Sequence, residues 1–128
     1  MEFSVQTSKR EEIVDITEQV KKLVAGKKGS ACLVFVPHAT ASIIINENYD
    51  PLVCEDILNF LRKEIPQGIW KHDKIDGNAD SHLKSMLLGA GKIIPMENGE
   101  LQLGTWQGIA LAEFDGPKMR KIIIKVLK

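Results

Sequence analysis

The stretch Ser30-Ala31-Cys32-Leu33-Val34-Phe35-Val36-Pro37-His38-Ala39-Thr40-Ala41-Ser42-Ile43-Ile44-Ile45-Asn46-Glu47-Asn48 decides the fold class. Ser30 to Pro37 is a continuous apolar run of strand length, and Ser42 to Asn48 is a second. Only His38-Ala39-Thr40-Ala41 lies between them, far fewer residues than a parallel crossover needs, so the stretch predicts a tight antiparallel connection.

On the N-terminal side, Met1 to Ser8 alternates like a strand, with Phe3 and Val5 on one face and Ser4 and Gln6 on the other. Glu11 to Ile16 extends as a second short strand. Asp15 and Glu18 then form a capping-box pattern ahead of Val20, Leu23 and Val24 at helical spacing, and Gly26 stops that helix. On the C-terminal side, Asp50-Pro51 opens a helix with an acidic cap and proline at its first position. Val53, Ile57, Phe60 and Leu61 are its expected buried face, and Pro66 ends it.

Residues 66–77 read as a loop. Asn78 or Asp80 caps a further helix ending at Gly89, with Leu83, Met86, Leu87 and Ala90 on its apolar stripe. Asn78, Ser81, His82, Ser85 and Gly89 fall on a separate stripe, roughly 130° away at 100° per residue. Such a stripe of small and hydrogen-bonding side chains lines a cleft or faces solvent. Asn98-Gly99 marks a hairpin between Lys92–Met96 and Glu100–Leu103, and Asp115-Gly116-Pro117 marks a turn between Gln107–Phe114 and Lys121–Leu127. The expected architecture is α+β, one domain over residues 1–128, mostly antiparallel sheet with two to three helices.

Composition narrows the function. Seventeen basic and seventeen acidic side chains cancel and aromatics make up 5%, so neither an electrostatic footprint nor a stacking platform for nucleic acid is present. No run is long enough to span a membrane. Cys32 and Cys54 read as small buried hydrophobes rather than a disulfide framework, which suits a cytoplasmic protein.

The three histidines carry the chemical signal. His38, His72 and His82 each stand in a polar, glycine-marked stretch beside carboxylates, amides and hydroxyls, where an imidazole moves protons or binds metal near neutral pH. The turn from His38 to Ser42 adds the hydroxyls of Thr40 and Ser42 and a concavity of backbone amides suited to an anion. Asn46 and Glu47 add an amide and a carboxylate. Glu113, in an otherwise apolar strand, needs a cation, a metal or an imidazole, and Arg120 is the basic partner that a hairpin through Gly116-Pro117 would supply. An internal Glu113–Arg120 pair and a functional carboxylate both satisfy that requirement. No metal-ligand spacing, P-loop or dinucleotide fingerprint is present.

The segments His38-Ala39-Thr40-Ala41-Ser42, Asn46-Glu47-Asn48, Asp76 to Lys84, Leu87-Leu88-Gly89, Leu103-Gly104-Thr105-Trp106-Gln107 and Glu113 to Arg120 together resemble the YjbQ family, also labelled secondary thiamine-phosphate synthase. Ala39 stands where the family's usual motif has threonine, and Lys118 where arginine is common. The resemblance implies a homotrimer with its polar motifs at or near a subunit interface. It also implies joining of a pyrimidine diphosphate to a thiazole phosphate, a reaction that expels diphosphate and calls for cations or a divalent metal, Mg or Zn. Lys84, Arg120, Glu47 and Glu113 are the groups that could help supply this.

Three readings follow. In the first, an enzyme acts on phosphorylated small molecules, with His38, His82 and Glu113 as catalytic residues and Thr40, Ser42, Asn46, Glu47, Asn78, Gln107 and Arg120 binding substrate. In the second, a trimeric module binds a metal or anion without turnover. In the third, the polar residues hold an assembly together.

Overall fold

The computed structural model describes residues 1–128. Eight strands and three α-helices follow the order β1 (Glu2–Gln6), β2 (Glu12–Asp15), α1 (Thr17–Val24), β3 (Ala31–Phe35), β4 (Ala41–Asn46), α2 (Pro51–Glu64), α3 (Ala79–Leu88), β5 (Gly91–Glu97), β6 (Glu100–Leu101), β7 (Gly108–Glu113) and β8 (Met119–Leu127). All strand pairs are antiparallel, in a five-stranded sheet of order β1-β8-β3-β5-β6 and a three-stranded sheet of order β2-β7-β4. Ile16, Val20, Val24, Cys32, Val34, Ile43, Ile94, Ile109, Leu111, Ile122 and Ile124 pack into one core between the sheets and α1.

Local chemistry explains the elements that were expected. The Asp50 carboxylate accepts the Leu52 N–H at 2.9 Å, Pro51 occupies the first helical position, and α2 stops at Glu64 ahead of Pro66. Asn98 and Gly99 both take positive φ, 54° and 77°, so the β5–β6 hairpin turns as the Asn-Gly pair dictates. Asp15 does not form the expected capping box. Its Oδ1 accepts from the Thr17 N–H and hydroxyl, and Ile16 occupies the cap position.

Two expected hairpins are absent. β3 pairs with β5 and β8, whereas β4 pairs with β7 in the other sheet, so His38 to Thr40 is a corner between sheets and not a tight antiparallel connection. The segment from Phe114 to Lys118 likewise carries the chain from β7 in the small sheet to β8 in the large one. A third corner, Thr7 to Glu11, joins β1 to β2. Short loops suit sheet-switching corners as well as they suit hairpins, so loop length alone did not separate the two.

All three corners meet at one buried ion pair. Glu113 is 0% exposed and Arg120 is 3% exposed. Arg120 Nε donates to Glu113 Oε1 at 2.9 Å and its Nη2 to Oε2, while Nη2 also donates to the Thr40 carbonyl and, at 2.8 Å, the Thr40 hydroxyl. Thr7 donates its hydroxyl to Glu113 Oε1 at 2.7 Å and accepts the Lys118 N–H at 2.8 Å. Gly116 lets the corners close this tightly: a Cβ there would stand 2.2 Å from the Lys9 carbonyl oxygen and 2.9 Å from Glu113 Cγ. The expected Glu113–Arg120 pair therefore exists, but it joins two sheets instead of spanning a hairpin.

The helices also depart from expectation. On α2 only Leu61 is fully buried, and Phe60 is exposed. α3 is turned the opposite way from its apolar stripe: Met86 and Leu87 are exposed, whereas Asp80, Ser81, Lys84 and Ser85 are buried. Lys84 Nζ bonds Asp80 and Glu11, each at 2.9 Å, and Arg10 adds a bond to Asp80 at 3.0 Å. A polar face can turn inward only because every charge on it finds an opposite charge.

Burial raises the Glu113 pKa, but hydrogen bonds from Arg120, Thr7 and the Asp115 N–H outweigh it and hold the carboxyl below its usual range. A carboxyl lowered in the folded state stabilises the fold above about pH 4.3, its unfolded value, and loses that contribution as pH falls through the folded pKa. Glu113→Gln leaves the Arg120 charge buried without its partner and is expected to cost about 3–5 kcal/mol in urea unfolding at pH 7. The gap between wild type and variant should shrink as the pH is lowered through the carboxylate range; a small, pH-independent gap would show that the pair does not hold the corners.

Candidate functional site

The β3–β4 corner fixes His38 by its backbone and by its ring. His38 Nε2 accepts the Lys121 N–H at 2.9 Å, which assigns the proton of the neutral ring to Nδ1 and leaves that N–H as a donor. Burial, followed by the positive charge of Arg120, lowers the His38 pKa; Glu113 opposes this in part and Lys118 adds to the lowering. The ring is thus held neutral near pH 7, with its acceptor nitrogen already used.

α3 brings His82 and Ser85 to the same place. A cavity of about 510 Å³ lies between the corner and the helix, lined by His38, His82 and Ser85 among small walls at Ala41, Gly89 and Ala90. The Ser85 hydroxyl is buried and has no hydrogen-bond partner, although its carbonyl accepts the Ser42 hydroxyl at 3.0 Å. An orphaned buried hydroxyl costs about 1–3 kcal/mol, so such groups in native structures call for an explanation such as a bound ligand.

His82 also borders a second hollow of about 300 Å³ with Trp70, His72 and Leu83. The His72 and His82 rings meet edge-to-face, with centroids 5.2 Å apart and planes at 90°. His72 comes from a 3₁₀ turn, Lys71–Lys74, inside the segment read as a loop. The three imidazoles therefore form a row: His38, the larger cavity, His82, then His72.

The remaining expected site residues separate into distinct places. Glu113, Arg120, Thr40 and Ser42 are buried and hydrogen-bonded within the chain, so they support the His38 corner and β4 without lining the cavity. Lys84 is likewise enclosed by Asp80 and Glu11 and is not a free cation. Asn78 stands at the start of α3, where its Nδ2 donates to Asp115 at 2.9 Å and its Oδ1 is buried without a partner. Asn46 accepts the Glu47 N–H at the rim of an apolar groove beside α2, and Gln107 closes a turn on Gly104. Ser85 was legible only as one member of the small polar stripe on α3. Its lack of a partner is a tertiary property.

No group of three or more His, Cys, Asp and Glu side chains gathers to hold a metal ion. His72 and His82 supply two imidazoles, His38 Nε2 is occupied, and Glu113 is bonded to Arg120 and Thr7, so the side chains gathered within one chain are fewer than the donors of a closed tetrahedral Zn centre. No helix is long and apolar enough to cross a membrane.

The family model described as UPF0047 protein YjbQ-like matches residues 1–128. The chain is 49% identical to a UPF0047 protein of Archaeoglobus fulgidus, over 99% of this chain and 100% of that one. It is 42% identical to the UPF0047 protein YugU of Bacillus subtilis, over 98% and 96%. Among solved structures, a YjbQ/UPF0047 protein from Clostridium acetobutylicum superposes with a TM-score of 0.93 at 47% identity, covering 99% of each chain. A protein of unknown function from Sulfolobus solfataricus superposes at 0.94 with 42% identity, over 98% and 94%.

The geometry around His38 makes a checkable statement about its proton. Its imidazole should titrate with a midpoint below about 6.5 in an NMR pH series. Its Nδ1 should be the protonated nitrogen at neutral pH; an Nε2–H tautomer there would break the assignment of His38 as a donor.

Proposed function

The chain belongs to the UPF0047 YjbQ-like family, and on that footing we propose that it is a cytoplasmic enzyme acting on a phosphorylated small molecule bound between the His38 corner and α3. The observation that carries the proposal is the convergence of His38, His82 and Ser85 on one cavity, with the Ser85 hydroxyl buried and without a partner. An anionic oxygen accepts from both His38 Nδ1–H and Ser85 O–H, giving the orphaned hydroxyl its partner. Arg120 and Lys118, which disfavour charge on His38, favour an anion beside it for the same electrostatic reason.

The reaction to test first is formation of thiamine phosphate from a pyrimidine diphosphate and a thiazole phosphate. The thiazole nitrogen forms the new carbon–nitrogen bond as the carbon–oxygen bond to diphosphate breaks, and diphosphate leaves with the electron pair. His38 and Ser85 stabilise the leaving oxygens. His82, whose ring meets His72 edge-on, is the imidazole that delivers a proton to them. No step is assigned to a metal.

One observation favours a second reading. No lysine or arginine lines the cavity, since Lys84 and Arg120 are both paired elsewhere. A site with neutral donors alone suits a module that binds an anion without turning it over.

The proposal includes a homotrimer. α2, β4 and the exposed edge of α3 form an apolar groove of about 530 Å³ with Ile44, Ile45, Val53, Ile57, Phe60 and Leu87, in which Phe60 is 60% and Leu87 62% exposed. Apolar surface of this kind marks an association face.

Diphosphate release measured with the two substrates is expected to fall about 10²–10⁴-fold in His82→Ala. In Ser85→Ala it is expected to fall less, about tenfold, through weaker binding. Undiminished release in His82→Ala removes His82 from the site, and binding of the diphosphate with no release in wild type selects the binding module. Light scattering should give about three times the 14.3 kDa protomer mass, and Phe60→Glu should reduce it. A monomeric wild type removes the trimer, and an unchanged mass in Phe60→Glu moves the interface off this groove.

A further inference from the structure

The Gly104–Gln107 turn, which the His38 cavity does not use, borders a cleft on a different part of the molecule. This cleft, of about 310 Å³, is lined by Asp15, Glu18, Asn48, Tyr49, Trp106 and Gln107 among others, and it shares no residue with the His38–His82 cavity. Trp106 is 70% exposed and Tyr49 is 88% exposed, so two aromatic rings stand in water at its rim. Burying such rings is favourable by roughly 25 cal/mol per Å² of apolar area, which makes their exposure beside a concavity a binding feature.

The walls are fixed. Gln107 N–H donates to the Gly104 carbonyl at 3.0 Å, and Gln107 Oε1 accepts the Gly104 N–H at 2.9 Å, so the turn carrying Trp106 is closed from both ends. Asn48 Nδ2 donates to the Ile109 carbonyl at 3.2 Å, and the Thr17 hydroxyl accepts the Ile109 N–H at 2.9 Å, pinning both sides of the cleft to β7.

Its charge has one sign. Asp15 has no ion-pair partner, and Glu18 has only Lys21 at 3.9 Å, with both of those side chains largely exposed. Neither arginine nor lysine lines the cleft. A hard metal cation asks for six or more oxygen ligands and gains nothing from indole, whereas an organic cation is attracted both by carboxylates and by aromatic faces.

We infer that the Trp106–Tyr49–Asp15–Glu18 cleft is a second ligand site, built for a flat organic cation that stacks on the aromatic rim and donates N–H bonds to the carboxylates. This is independent of the His38 reading and stands if that reading fails.

The test uses three probes of one shape and different charge: benzamidinium, neutral benzamide and anionic benzoate. Each is titrated into the full-length protein at constant ionic strength while the Trp106 indole N–H and the Asn48 and Gln107 side-chain amides are followed by NMR. Benzamidinium is expected to give saturating shifts at those three groups, with affinity at least about tenfold above benzamide, and benzoate none. Glu18→Gln, at an exposed position whose one ionic contact is the long, solvent-exposed pair with Lys21, should weaken benzamidinium several-fold and leave benzamide unchanged; Asp15→Asn, which retains the Oδ1 acceptor for Thr17, should do the same. Non-saturating shifts, shifts centred elsewhere, equal affinity for the three probes, or unchanged benzamidinium binding in both variants would each overturn the inference.

Discussion

The bonded pair of Glu113 and Arg120 is the constraint on which the arrangement of the two sheets rests. Three short corners that carry the chain directly from one sheet to the other each contribute to this pair: Thr7 from the β1–β2 corner, Thr40 from the β3–β4 corner, and both charged residues from either side of the β7–β8 corner. A carboxylate and a guanidinium removed from water are costly unless their lone pairs and protons are all used. Here both carboxylate oxygens and the Nε and Nη2 groups of the guanidinium are bonded, several of them to groups distant in sequence, so the pair is met this well only when all three corners are in register. The same arrangement holds His38, whose ring accepts the Lys121 N–H one residue beyond Arg120.

A second ionic device fixes the other wall of the cavity. Asp80 and Lys84, one turn apart on α3, are buried against Arg10 and Glu11 from the first corner. That network turns the charged side of α3 inward and its leucine and methionine side outward. His82 and Ser85 then reach the corner carrying His38, and Leu87 joins Phe60 on the exposed apolar face. Cavity and candidate association face are therefore two consequences of one helix rotation, set by charge pairing.

The electrostatics of the cavity differ from those of the scaffold below it. The strong charges are neutralised within the protein, and the cavity is lined by two imidazoles, of which His38 is held neutral, and by Ser85, whose hydroxyl is buried without a partner. Donors fixed in place before a ligand arrives need no reorganisation to meet developing negative charge. The Trp106 cleft is the reverse case, with one carboxylate unpaired and another only weakly paired beside exposed rings.

The sequence by itself determined the strands, the Asp50–Pro51 helix start and the Asn98–Gly99 hairpin, because each depends on residues within a few positions of one another. It also showed that Glu113 needs a cation, a metal or an imidazole, since an unpaired charge in an apolar strand is untenable wherever the strand lies, and offered Arg120 as one candidate; the folded structure chose it. The tertiary structure decided what local pattern could not: that β3 and β4 part into different sheets, that α3 buries its charges and exposes its leucine, and that His38 and His82 share a cavity while Asn46 and Gln107 lie elsewhere. A short connection is compatible with a hairpin or a corner, and an amphipathic helix with either rotation. Partners far along the chain made the choice, through the hydrogen bonds and opposite charges that only the folded arrangement supplies.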